Sequence, residues 1–122
     1  MPSTDSGRGI SMRLTIQDLK KMKRHGEKIA MLTAYDYTSA KILEEAGVRL
    51  VLVGDSLGQV VLGYDSTVPV TMDEMVHHTR AVVRGTMSSH IVGDMPFLSY
   101  QTDHADAIRN AGRLLKEGGA QS

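Results

Sequence analysis

Several absences limit what this 122-residue chain can be. It has no cysteine, which excludes disulfide bonds and thiolate metal sites and is typical of a cytoplasmic protein. Its 14 basic and 14 acidic residues give a formal net charge of zero, so nothing indicates a surface for nucleic acid. No apolar stretch approaches the roughly 20 residues of a membrane helix. We therefore expect neither a nucleic-acid partner nor a membrane partner.

Aromatic residues are also scarce, since tryptophan is absent and Phe97 is the only phenylalanine. Eight methionines and many small aliphatic residues must fill the interior instead. The length allows a single domain. The first residues are rich in Ser, Gly and Arg and have no apolar core, which predicts a disordered segment over residues 1–13 and no signal peptide. Residues 14–122 are expected to form part of one domain.

Strand and helix patterns alternate along these residues. Short apolar runs at 29–34, 49–55 and 90–94 lack polar alternation, which predicts strands buried on both faces. Helical spacing before the first run and after each run predicts a helix followed by three β-α units, and hence a parallel α/β sheet. Residues 119–122 stand where a fourth strand should begin, so we interpret the chain as truncated. Alone, with an open third strand, it is expected to be marginally stable or to aggregate.

Polar residues with capping potential mark the predicted helix starts. Thr71 and Glu74 have the spacing of a capping box. Residues 56–70 form a long, apolar, glycine-containing connection, which is typical of a functional loop. The predicted starts are Thr15, one of Asp36, Thr38 and Ser39, then Thr71, then Thr102.

Two strands end in the same way, with Gly54-Asp55 after the second and Gly93-Asp94 after the third. The carboxyl ends of parallel strands are where α/β proteins place their chemistry. Two carboxylates there predict a site for a hard cation, most simply Mg²⁺. Each aspartate alone is equally typical of a turn or helix cap, but the repetition favours a site.

Other polar residues near these ends are candidates for ligand contacts. Ser56 follows Asp55 and could hold a carboxylate through its hydroxyl and its amide, or could be an ordinary turn serine. Tyr35 follows the first strand, so it either contacts substrate or packs over the end of the sheet. The five histidines show no His-x-x-x-His spacing, which predicts structural or surface roles and no zinc site.

Taken together, these motifs resemble the ketopantoate hydroxymethyltransferase family over about residues 14–120. The most specific segment runs from Gly54 to Thr71 and includes the sequence GYDSTVPVT. Further matching segments are TAYDY at 33–37, HTRAV at 78–82, DMPF at 94–97 and NAGRL at 110–114.

The resemblance implies a fold and an activity. The family forms a (β/α)₈ TIM barrel of the phosphoenolpyruvate-handling superfamily, of which this chain would be the N-terminal helix and about three β/α units. Its members form homo-oligomers, typically decamers. They transfer a hydroxymethyl group from 5,10-methylenetetrahydrofolate to the α-keto acid 3-methyl-2-oxobutanoate, giving 2-dehydropantoate for pantothenate and coenzyme A synthesis. By position, Asp55 and Asp94 resemble the Mg²⁺ ligands, and Asp55 and Ser56, with Tyr35 beside them, are assigned to substrate binding.

The resemblance also implies what these residues lack. The family's substrate-binding lysine, a further glutamate near the metal and the general-base glutamate are expected beyond Ser122, so the chain alone is predicted to be inactive. Three alternatives stay open. One is another Mg²⁺-dependent lyase or transferase of the same superfamily that makes or breaks C–C bonds. The others are a receiver-like α/β domain and a fragment with no catalytic role.

Overall fold

A computed structural model describes residues 13–122, in which three parallel strands form one sheet in the order β1-β2-β3. The strands are β1 (Met31–Thr33), β2 (Leu50–Val53) and β3 (His90–Gly93). Leu50 of β2 is in register with Met31 and with His90. The predicted parallel α/β architecture is therefore confirmed. The predicted disordered segment 1–13 lies outside the described residues, except for Arg13.

Helices connect the strands and cover the sheet. They are α1 (Ile16–Arg24), α2 (Tyr37–Glu45), α3 (Leu57–Val60), α4 (Met72–Arg84) and α5 (His104–Lys116). Helix α4 has a central position, because it contacts β2, β3 and the helices α2 and α5. The single-turn helix α3 lies within the connection 56–70 and was not predicted.

The sequence predicted most helix starts correctly. Thr15 and Thr71 each form a capping box, with Asp18 and Glu74 respectively, and Asp36 caps α2. The predicted start of the last helix was wrong by one residue, because Asp103 and not Thr102 caps α5. The Asp103 carboxylate accepts a hydrogen bond from the Asp106 amide at 2.7 Å. The Thr102 hydroxyl instead donates to the Asp106 carboxylate at 2.9 Å. A charged carboxylate also suits the positive end of the helix dipole.

The core lies between the sheet and helices α4 and α5. Val51, Val53 and Ile91 from the strands are fully buried, and Met75, Val82 and Leu114 from the helices pack with them. Strand β1 was predicted to be buried, but Met31 is 42% and Leu32 49% exposed. Within residues 13–122, β1 pairs with β2 only, so one of its edges and much of its side-chain surface face outward.

The third strand was predicted to have an open edge, but residues 121 and 122 bond to the outer edge of β3. The Gln121 amide donates to the Ile91 carbonyl at 2.9 Å, and the Gly93 amide donates to the Ser122 carbonyl at 2.7 Å. The Ser122 amide donates to Ile91 at 3.3 Å, which completes the pattern of a parallel pair. Gly119, with a φ of 83°, redirects the backbone from α5 to this edge.

A polar network closes the opposite, amino-terminal end of the strands. The Arg13 guanidinium donates to the carbonyls of Val83, Thr86 and Ser89 and to the Thr86 hydroxyl. The Glu44 carboxylate of α2 accepts five hydrogen bonds from residues 87–89, three from amides and two from serine hydroxyls. These contacts fix the turn between α4 and β3, which in turn sets the position of β3.

Candidate functional site

Asp55 and Asp94 lie together at the carboxyl ends of β2 and β3. Val53 is in register with Gly93, so the residues that follow the two strands leave the sheet side by side. The Asp55 amide donates to Asp94 Oδ2 at 3.1 Å, and the Asp94 amide donates to the Val53 carbonyl at 3.0 Å. The structure thus brings together the two residues that the repeated Gly-Asp pattern singled out.

The pair is electrostatically unfavourable when both carboxylates are ionised. Burial and the nearby charge of Asp94 raise the pKa of Asp55, although a hydrogen bond from the Thr67 side chain opposes the increase. Both aspartates are half-buried, so water screens their repulsion only in part. A bound cation would relieve this repulsion, and a perturbed carboxylate of this kind is typical of functional sites.

Two carboxylates are a suitable protein contribution to a magnesium site. Mg²⁺ usually binds one or two protein carboxylates and completes its octahedral shell with waters and substrate oxygens. Among residues 13–122, no group of three or more His, Cys, Asp or Glu side chains is placed to hold a metal ion. The donor chemistry of Asp55 and Asp94 therefore fits Mg²⁺ that keeps several non-protein ligands, and does not fit zinc.

Ser56 and Tyr35 meet beside this pair. The Tyr35 hydroxyl lies 2.8 Å from Ser56 Oγ, although 21 residues separate them in sequence. Ser56 stands at the N-cap position of α3 but makes no side-chain cap, so its hydroxyl is directed to Tyr35. Nδ1 of His78 donates to the Tyr35 carbonyl at 2.7 Å. The structure therefore places Tyr35 against Ser56 at the edge of the sheet that carries Asp55.

Thr67 is a site residue that the sequence patterns did not single out. From the middle of the 56–70 connection, its side chain acts to lower the pKa of Asp55. Gly58 allows this path, because a Cβ there would overlap the Val70 side chain and come within 3.2 Å of Tyr64. The Tyr64 hydroxyl donates to Glu74 at 2.5 Å, which anchors the loop to α4. The only sequence signal for Thr67 was its place within the segment GYDSTVPVT.

Two histidines have structural roles, as predicted. His90 is buried, donates from Nδ1 to the Leu14 carbonyl at 2.7 Å and lies 2.9 Å from the Ser122 hydroxyl. His25 is the C-cap of α1. His90 begins β3 at the end opposite Asp94, and His25 lies outside both strands.

An apolar groove of about 360 Å³ lies beside β3 and is separate in chemistry from the carboxylate pair. Met95, Leu114 and Leu115 are among the residues that line it, and no titratable side chain does. It offers packing surface and no acid–base group, so the chemistry belongs to the aspartates. Of the helices within residues 13–122, none is long and apolar enough to span a membrane.

The described chain is an open parallel sheet covered by helices, and two adjacent strands end in acidic residues. These features define an α/β protein with a candidate site at the carboxyl ends of its strands. The family model described as ketopantoate hydroxymethyltransferase matches residues 13–122. The chain belongs to this family, which removes the receiver-like alternative.

Individual relatives carry the same description. A 3-methyl-2-oxobutanoate hydroxymethyltransferase of Carboxydothermus hydrogenoformans is 66% identical over 110 residues, which cover 90% of this chain and 40% of the relative. A Chloroflexus aurantiacus protein of that name is 61% identical over 111 residues, which cover 91% of this chain and 39% of that protein. A Moorella thermoacetica protein of that name is 61% identical over 110 residues, which cover 90% of this chain and 41% of that protein. The chain therefore spans about two fifths of the length of these relatives.

Proposed function

We propose that this chain carries the Mg²⁺-binding and α-keto-acid-binding part of a 3-methyl-2-oxobutanoate hydroxymethyltransferase. The proposed reaction transfers a hydroxymethyl group from 5,10-methylenetetrahydrofolate to 3-methyl-2-oxobutanoate and yields 2-dehydropantoate for pantothenate synthesis. The observation that carries the proposal is the juxtaposition of Asp55 and Asp94. The names of the relatives support the acceptor and the transferred group.

Each residue of the site has a proposed task. Asp55 and Asp94 hold the metal, and the Thr67 side chain favours the ionised form of Asp55 by lowering its pKa. When bound, Mg²⁺ would supply Lewis-acid stabilisation of the negative charge that forms on the keto oxygen as the C3 proton leaves. The Ser56 hydroxyl donates to the carboxylate of the keto acid, and Tyr35 stands beside Ser56 at 2.8 Å. The general base that removes the proton is assigned to the part of the family's length that this chain does not span.

The same proposal extends to the whole fold. Residues 121 and 122 already bond to the outer edge of β3, beside the apolar groove, which supports continuation of the sheet toward a closed (β/α)₈ barrel. The exposed outer edge of β1 would then meet the last strand of the barrel. Full-length assemblies are proposed to be cytoplasmic homo-oligomers of the decameric type.

Exchange of the C3 proton of 3-methyl-2-oxobutanoate, followed by NMR in D₂O with Mg²⁺, tests the proposal. It isolates proton removal from folate chemistry. The purified chain should be compared with a metal-only blank, with Asp55→Ala and Asp94→Ala, and with Asp65→Ala as a control in the exposed part of the loop.

The chain alone is expected to show no exchange above the blank, because the proposed general base belongs to the part of the family's length that this chain does not span. Adding a polypeptide with the remaining sequence of the Carboxydothermus relative should restore exchange for the wild type and Asp65→Ala. Exchange that Asp55→Ala and Asp94→Ala do not abolish would contradict the assigned metal ligands. No exchange by the reconstituted wild type, with both polypeptides folded, would contradict the proposed activity.

A further inference from the structure

The side chain of Ser56 is held by residues from two other elements. Tyr35, just after β1, places its hydroxyl 2.8 Å from Ser56 Oγ. His78, in the second turn of α4, donates from Nδ1 to the backbone carbonyl of Tyr35 at 2.7 Å. Tyr35 and His78 are both half-buried, so water competes only partly for these bonds. The result is a continuous path from α4, through the end of β1, to the start of α3.

The direction of the Tyr35–Ser56 bond follows from acidity. A phenol has a pKa near 10 and is a stronger donor than an aliphatic hydroxyl. The favoured arrangement has the Tyr35 O–H donating to Ser56 Oγ, which leaves the Ser56 hydrogen free for another acceptor. Consecutive hydrogen bonds polarise one another, so a serine that already accepts from Tyr35 is a better donor to an anionic oxygen.

We propose that Tyr35 and His78 are positioning residues that fix the Ser56 hydroxyl in one rotamer and leave its proton available to the carboxylate of a bound α-keto acid. His78 fixes the Tyr35 backbone, and Tyr35 orients Ser56. The carboxylate part rests on the proposed function, whereas the positioning part concerns the free protein and stands separately.

The first experiment measures the Ser56 rotamer in the 122-residue chain by NMR, from the couplings between its Hα and Hβ protons. The wild type should show the unequal couplings of a single χ1 rotamer, and Tyr35→Phe should show averaged couplings. Tyr37→Phe is the matched control, because it removes the same hydroxyl from an exposed side chain two residues away.

Substitutions at His78 separate its hydrogen bond from its bulk. His78→Asn keeps an N–H near the position of Nδ1 and should retain the single Ser56 rotamer, whereas His78→Leu should lose it. His77→Leu changes the exposed neighbour on the same helix and should have no effect. Averaged couplings in the wild type, or unchanged couplings in Tyr35→Phe, would overturn the proposal.

A second measurement titrates 3-methyl-2-oxobutanoate with MgCl₂ present. Loss of one oriented hydrogen bond to a charged group should weaken binding about tenfold in Tyr35→Phe, with no change in Tyr37→Phe. If the wild type binds the keto acid and Tyr35→Phe binds it equally well, the positioning inference is overturned and the proposed function stands. If the wild type binds no keto acid while the rotamer responds as expected, the positioning role stands and the proposed function of this chain fails.

Discussion

The carboxylates of Asp55 and Asp94 oppose folding when both are ionised. Burial and the charge of Asp94 raise the pKa of Asp55 above its ordinary value, so the folded state holds the Asp55 proton more tightly than the unfolded state does. The stability contributed by protonated Asp55 is present at low pH and is lost as the pH rises through this raised pKa. At neutral pH, the metal-free protein therefore carries a destabilising charge.

Replacing that charge should stabilise the metal-free protein. Asp55→Asn is expected to raise the free energy of unfolding at neutral pH by about 0.5–1 kcal/mol, within the range of substitutions that relieve a functional site. It should also remove the stabilisation that the proposed binding of Mg²⁺ would give the wild type. Thermal unfolding with and without MgCl₂ measures both effects.

Asp65→Asn is the control for the loss of one carboxylate, since Asp65 is exposed in the same loop. It should change neither the metal-free stability nor the response to Mg²⁺. A less stable Asp55→Asn protein at neutral pH would show that the repulsion between the two carboxylates is not the dominant effect.

The sequence predicted that Asp55 and Asp94 lie together, because parallel strands end at a common edge of the sheet. This rule needs no knowledge of side-chain packing. It could not predict Thr67. The effect of Thr67 on Asp55 depends on the path of residues 61–70 beside α3. That path requires the close packing of Val70 and Tyr64 against Gly58. The bond from Tyr35 to Ser56 was likewise hidden, because two separate elements must meet before it forms.

At the scale of elements, Glu44 joins α2 to the turn before β3. Its carboxylate accepts the amides of Met87, Ser88 and Ser89 and the hydroxyls of both serines. Arg13 binds the same turn from the other direction, through Thr86 and Ser89. Arg13 and Glu44 therefore both fix residues 86–89, between α4 and β3.

Glu44→Gln should loosen this turn. A neutral amide keeps one acceptor oxygen and brings two donors toward amides and hydroxyls that also donate, so we expect a loss of about 1–3 kcal/mol in unfolding free energy. Urea denaturation measures it. Glu45→Gln, at the exposed neighbouring position of α2, is the matched control and should be nearly neutral. Equal effects of the two substitutions would show that the carboxylate clamp adds no stability.

The same clamp predicts a dependence on pH. Burial raises the pKa of Glu44, but the hydrogen bonds from Ser89, Ser88 and Met87 outweigh it and leave the pKa below its ordinary value. The stabilisation is therefore fully present above the ordinary glutamate pKa, near 4.3, and is lost as the pH falls through the lower folded value. The stability difference between wild type and Glu44→Gln should shrink below about pH 4, as urea denaturation at several pH values will show.

The helices were predictable where local chemistry decides their ends, as at Thr15 and Thr71. The start of α5 was wrong because Thr102 and Asp103 both have capping side chains and only the backbone geometry selects Asp103. The exposure of β1 was missed, since an apolar run shows what a strand is suited to bury and not which neighbours cover it. Helix α3 is a single turn, too short for any periodic pattern.

At the scale of the whole molecule, the described sheet has two unlike edges. Residues 121 and 122 bond to β3, whereas β1 presents unpaired backbone groups together with exposed Met31 and Leu32. An apolar edge strand of this kind promotes association between chains. From the sequence, association was expected at β3, whereas the described residues leave β1 as the exposed edge, so the prediction of association applies to β1.

Leu32→Lys should reduce this association. A lysine on an edge strand disfavours pairing with a second strand, so the average mass at high protein concentration should fall toward that of the monomer. Light scattering during size-exclusion chromatography at increasing concentration measures it. Ile42→Lys places the same charge on an exposed residue of α2 and should leave the mass unchanged. A wild-type chain that stays monomeric and melts in one sharp transition would contradict this expectation.

The Gly58 amide donates to the Asp55 carbonyl at 3.0 Å, yet it is the missing side chain of Gly58 that determines the shape of the site. Any Cβ there would displace Val70, whose amide donates to the carbonyl of Thr67 at 3.1 Å, and the Thr67 side chain lowers the pKa of Asp55. In a saturation mutagenesis screen for Mg²⁺ dependence, position 58 should therefore tolerate as few residues as position 55. The positions that tolerate no substitution would then include the proposed metal ligands and the loop beside them. Glycine at position 58 would be conserved as strictly as a metal ligand.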